Sequence, residues 1–180
     1  MKPLTRPAAI ELLSRHRLLA LSAQERADHL LNVWTLAPQA PEFATLPASL
    51  GEEIQTREPP ENAQPARYDA LILVSLRAAY HGVSNPYLSR CLAEAGYPGQ
   101  PVEGPVETLL ACPCCGYLTL GAHGEYEICG LCHWEDDGCQ ALDVLSGPNH
   151  KTLAQAREHF AEQQGRLPLN KWPHISKDHP

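Results

Sequence analysis

Apolar positions recur at helical spacing through the first 95 residues and again after residue 152; the stretch between alternates in short runs broken by Gly, Pro and Cys. Thr5 reads as the cap of a first helix with Pro7 in its opening turn, followed by Ile10, Leu13, Arg17 and Leu18. Ser22 and Glu25 form a capping-box pattern for a second helix running to about residue 35, with Ala27, Leu30, Leu31 and Trp34 on one face. An antiparallel helical hairpin is expected from the two. Prolines at 38, 41, 47, 59, 60 and 65 then break the pattern. A short helix is expected over residues 46–55, and residues 57–66 read as a mobile linker with nothing to bury.

Residues 68–80 form the most apolar helix of the sequence, with Leu71, Ile72 and Val74 suited to a core. His81 and Gly82 end it. Ser84, Asn85 and Pro86 open a further helix over residues 86–95. Helix, short turn and helix match the outline of a DNA-reading pair, but the second helix offers only Arg90 as a cation, which favours a plain packed pair. A strand is expected over residues 106–111. Thr152 and Gln155 cap a closing helix carrying Leu153, Ala156 and Phe160, and Gly165 stops it. The resulting fold class is α+β. Residues 1–66 are expected to form a helical hairpin and Pro-rich linker, and 67–105 a central helix pair. Residues 106–165 would be a zinc-ribbon or rubredoxin-like β-hairpin module with its closing helix, and 166–180 an irregular tail anchored by Trp172.

Composition adds little to this outline; charge placement adds more. The 43% apolar content is ordinary for a chain that buries a core, and no apolar run approaches the roughly 18 residues of a membrane span. The N-terminus lacks the apolar centre of a signal peptide, so a soluble, cytoplasmic protein is expected. Between Arg90 and Lys151 there is no Lys or Arg, and that interval holds nine acids. The remainder is near neutral, with 14 basic and 12 acidic residues. Nucleic-acid binding is chiefly phosphate neutralisation by Lys and Arg, so this interval is ill suited to DNA or RNA.

The candidate chemistry lies in the same interval. Six of the seven cysteines fall between positions 112 and 139, and Cys91 stands apart. Cys112 and Cys115 form one CxxC pair, Cys129 and Cys132 another. Each pair, on a tight turn, aims two sulfurs at one point, and two such turns complete a Cys₄ metal site. Residues 117–120 and 125–128 are expected as the two strands of a short hairpin joining the turns. Gly116 and Gly130 are expected to supply the positive φ that the turns need. One zinc per chain is the expected occupant because it needs no redox partner; iron uses the same four thiolates.

Cys114 and Cys139 are read as buried bystanders, the alternative being a redox pair or part of a second site. His133 is read as an outer neighbour of the ligands, the alternative being that it replaces a sulfur. Four thiolates leave no open position for water, which argues against a catalytic metal. Trp134, Glu135, Asp136 and Asp137 read as a solvated acidic turn available to a partner.

The run Cys112-Pro113-Cys114-Cys115-Gly116, with Cys129-Gly130-Leu131-Cys132, Trp134-Glu135-Asp136-Asp137-Gly138 and the later Asn149, Thr152, Leu153, Ala156, Arg157 and Phe160, resembles the CPCC family of cysteine-rich bacterial proteins over residues 109–165. The second turn departs from the family, whose members often carry Cys-Pro-Val-Cys and then an aromatic residue. The resemblance implies a metal-binding fold without established catalytic residues, with some members in toxin–immunity settings. The expected function is non-enzymatic: a zinc-binding protein acting by protein–protein interaction, with neutralisation of a basic toxin as one such role. A nucleic-acid-associated regulator and a thiol oxidoreductase are the alternatives.

Overall fold

A computed structural model describes residues 2–175. Among these the chain forms six α-helices and three pairs of short strands, an α+β arrangement with a helical N-terminal region, small β-hairpins carrying the cysteines, and a closing helix. It divides into two compact units. One comprises the residues up to His81 together with Ser89–Glu103; the other comprises Gly82–Leu88 together with the residues from Gly104 on.

In the first unit, β1 (Leu4–Thr5) leads into α1 (Arg6–Ala20), and α2 (Ala23–Val33) follows after a two-residue turn. Thr5 caps α1 through the N–H of Ala8. Ser22 and Glu25 close their capping box in both directions, at 3.2 and 2.8 Å. α1 and α2 both pack on α4 (Asp69–Ala78) rather than chiefly on one another. The reason is the apolar character of α4: Leu71, Ile72, Leu73, Val74 and Leu76 are all buried, so it offers a face to each neighbour. Leu30, Trp34, Leu50, Ile54, Ala63 and Tyr68 complete this core, with α3 (Ala48–Thr56) supplying Leu50 and Ile54. Leu31 is 55% exposed, contrary to the face expected of α2, because Arg26 takes an inward position beside Leu30 and Trp34.

Arg26 explains why residues 57–66 are not a free linker. Its buried guanidinium donates to the carbonyls of Ala63 and Gln64 and pairs with Asp69 at 2.6 Å. Trp34 donates from its indole N–H to the carbonyl of Arg57 at 2.9 Å, and Ala63 is buried. A proline-rich segment without its own ladder thus satisfies its backbone acceptors through two side chains of one helix. Arg26→Met removes the donor from the buried Ala63 carbonyl and the charge partner of Asp69, and is expected to cost about 2 kcal/mol, read as a lowered unfolding midpoint in urea.

The second unit begins at Gly82, and the division falls within α5 (Asn85–Glu94). β2 (Val102–Glu103) belongs to the first unit, where it pairs in parallel with β1. β3 (Leu110–Ala111) pairs antiparallel with β4 (Leu118–Leu120), and β5 (Leu145–Ser146) with β6 (Lys151–Thr152). β6 feeds α6 (Leu153–Gln163), whose Thr152–Gln155 capping box closes as expected. Leu153, Ala156 and Phe160 face inward. No helix among the described residues is long and apolar enough to cross a membrane.

Candidate metal centre

Each CxxC pair sits in the turn of its own hairpin. In the first, β3 and β4 flank the turn, the N–H of Cys112 donates to the carbonyl of Tyr117, and the N–H of Gly116 donates to that of Cys112, both at 2.9 Å. The second repeats this 17 residues later. The N–H of Cys129 donates to Trp134 at 2.9 Å, and that of His133 to Cys129 at 3.0 Å. Its flanking segments are residues 126–128 and 134–136, paired through Tyr126 to Asp136, Asp136 to Glu127, and an Ile128–Glu135 bridge. Residues 117–120 and 125–128 therefore do not pair with each other, as a single joining hairpin would require. Backbone groups adjacent to each turn are the nearest partners available, and the Gly121–Gly124 loop separates the two hairpins.

The repeat corrects one assignment. Gly116 takes φ 75°, but Gly130 does not adopt positive φ; the residue equivalent to Gly116 is His133, at φ 61°. Gly130 is small for another reason. A Cβ there would stand 3.0 Å from the Trp172 ring, which is buried against it. His133 is exposed, and its ring is not among the clustered metal-ligating groups. A non-glycine residue in the left-handed region costs about 1 kcal/mol. His133→Gly is therefore expected to raise stability by about that amount and leave bound metal unchanged; metal loss would show instead that the imidazole is a ligand.

The four sulfurs of Cys112, Cys115, Cys129 and Cys132 all lie within 4.8 Å of one another. Cys112 and Cys132 are 3.6 Å apart, Cys115 and Cys129 3.7 Å. A tetrahedron of thiolates with metal–sulfur bonds of about 2.3 Å has edges of about 3.8 Å, whereas a disulfide needs about 2.05 Å. The spacing fits a shared cation and excludes paired cystines. Electrostatics point the same way. The Cys129 thiol is driven low by hydrogen bonds from Cys112, then Cys115 and Cys132. Cys115 is pushed high by its bond with Cys112, then by Cys129, Cys132 and burial. Sulfurs this close carry four negative charges only around a cation. Cys129 is the best supported, accepting from the Thr119 hydroxyl at 3.1 Å and from the N–H groups of Leu131 and Cys132 at 3.4 and 3.5 Å.

The remaining candidates separate clearly. Cys114 is buried and Cys139 half-buried, and neither joins the cluster. Trp134 is 3% exposed and Asp136 1%, so neither is a surface contact on a solvated turn. Asp136 instead accepts from His123 Nδ1 at 2.8 Å and from the N–H groups of Gly124 and Gly138, both at 3.2 Å. Asp137 accepts the Ser146 hydroxyl at 2.6 Å. Asn149 clasps Glu135 by both backbone groups, at 2.9 and 2.8 Å, and also donates to Ser146. Three consecutive polar side chains hide these roles in sequence, because only the paired hairpin shows which one turns inward.

Sequence reading also missed the chain after α6. Leu118 donates to Pro173 and Ile175 to Gly116, and His174 bridges to Tyr117. His174 stacks edge-on against Tyr117 at 4.6 Å and reaches the Cys115 carbonyl at 3.1 Å. Residues 172–175 thus strap both turns, Trp172 on Gly130 and His174 on Gly116. The irregular tail expected over 166–180 is ordered to this extent, and 176–180 lie outside the described residues.

Two CxxC turns in successive hairpins bring four cysteine sulfurs together in a set that could hold a metal ion, beside a closing helix. Residues 110–166 match the model of the family described as Cysteine-rich CPCC. No curated protein and no solved structure matches the chain.

Proposed function

We propose that the CPCC domain is a structural zinc centre, without catalysis at the metal, that holds a surface for contact with a basic protein partner. The observation that carries this reading is the convergence of four cysteine sulfurs, which fills a tetrahedral coordination sphere. When bound, zinc supplies cross-linking of the two turns; Cys112, Cys115, Cys129 and Cys132 hold it, and the N–H groups around Cys129 balance their charge. Iron on the same four thiolates is the competing occupant, and elemental analysis of the purified chain decides between them.

The partner's chemistry follows from the exposed side chains. Tyr126, Ile128, Leu142, Val144 and Leu145 are all about half exposed or more, and Glu125, Glu127 and Asp143 are interleaved with them. Apolar side chains set among acids, with no Lys or Arg between 90 and 151, suit a basic partner, where opposite charge speeds association and selects against wrong partners. An immunity protein that neutralises a basic toxin is one role of this kind. The contact lies away from Trp134 and Asp136, which are buried. Co-expression with the products of neighbouring genes tests the reading. A complex is expected that weakens in Glu125→Lys/Glu127→Lys; a complex indifferent to that pair, or DNA or RNA binding at low salt, argues for another role.

A further inference from the structure

Beside the second cysteine turn runs a groove of about 250 Å³, walled by the turn on one side and by α6 on the other. Its lining differs in charge from the rest of the cysteine-bearing interval. Lys151, the first Lys or Arg after Arg90, lies on it, together with His133 and His159, against the single acid Glu135. Glu135 is held by its backbone to Asn149, so its position on the wall is set. Leu131 and Phe160, both buried, give the groove an apolar base.

Two observations indicate that this is more than a crease. His133 holds the left-handed backbone position that glycine takes in the first turn, so an imidazole stands at the groove where the turn itself requires no side chain. Trp134 also lines the groove, and its buried indole N–H has no hydrogen-bond partner among the described residues.

We propose that this groove binds a small organic carboxylate. Lys151 is the charge partner of the carboxylate, His133 a second donor at the rim, and Leu131 with Phe160 the seat of the ligand's apolar portion. The volume suits a ligand about the size of one amino-acid residue. The site is separate from the metal ligands in its chemistry, although Cys132 contributes to the wall, and it does not depend on the partner surface described above.

The test titrates the purified, metal-loaded full chain with N-acetyl-leucine and with its neutral amide, following backbone and indole N–H resonances by NMR. Saturable shifts at Lys151, His133 and the Trp134 indole are expected with the acid, at a dissociation constant in the millimolar range for so small a probe. The amide should bind about tenfold more weakly, and Lys151→Met should weaken the acid by about the same factor while leaving the amide unchanged. His133→Gly, which relaxes the backbone, should also weaken the acid. Lack of saturable shifts with the acid, equal binding of acid and amide, or unaltered acid binding by Lys151→Met overturns the proposal. Metal content is measured in every sample, so that loss of the centre is distinguished from loss of the groove.

Discussion

Cys129→Ser is expected to release the metal and unfold the second unit. Cys129 is fully buried, lies 3.7 Å from Cys115, and is the sulfur that collects the Thr119 hydroxyl and two backbone N–H groups. A serine oxygen is a poor zinc ligand at that position. Structural zinc supplies an apparent folding free energy of about 10–16 kcal/mol, comparable with the whole stability of a small domain. The unit has little to set against that loss, since its strands are two or three residues long and, among the described residues, its two cysteine turns share no disulfide and are otherwise tied only by residues 172–175. Elemental analysis should show metal lost, and NMR should show collapse of the dispersed resonances of residues 104–175. The helical signal of α1, α2 and α4 should largely persist, because their core is built from residues of the first unit. Cys114→Ser and Cys139→Ser should keep their metal, since neither sulfur joins the cluster. A Cys129→Ser protein with full metal content would refute the ligand assignment.

Asp136→Ala should be the next most damaging change. The carboxylate is buried and serves three donors on two segments: His123 and Gly124 on the loop between the hairpins, and Gly138 beyond the second. Its removal takes a charged acceptor from His123, from the half-buried N–H of Gly124 and from the exposed N–H of Gly138. Hydrogen bonds to a charged group contribute about 1.5–3 kcal/mol each when buried and less where water replaces them, so a total loss of about 3 kcal/mol is expected in the metal-loaded protein. Asp136→Asn keeps one acceptor oxygen and should lose roughly half as much. Thermal unfolding at constant metal loading measures both. An Asp136→Ala midpoint within a degree or so of the parent would return this residue to the solvated turn that its neighbours suggest.

That last contrast shows where sequence reasoning stops. Glu135, Asp136 and Asp137 are chemically alike and adjacent, yet one is clasped by Asn149, one is buried, and one holds a serine. The same holds for Arg26, whose place on α2 gave no sign that it would tie down residues 63–64. His133 is a third case. Its equivalence to Gly116 is written in the 17-residue offset between the turns, but the glycine at 130 drew attention to the wrong position.

What the sequence by itself determined is local. Caps at Thr5, Ser22 and Thr152 mark helix starts because their side chains bond to backbone three residues away. The Cys112–Cys115 and Cys129–Cys132 pairs mark the candidate metal site because two residues of spacing suffice to aim two sulfurs. The tertiary structure alone decided which segments pair across each turn and which acid turns inward. It also decided that residues 172–175 strap the cysteine turns. Those outcomes depend on contacts between residues far apart in the chain. Their energies come from burial and from satisfying backbone donors, and no short window of sequence contains both partners.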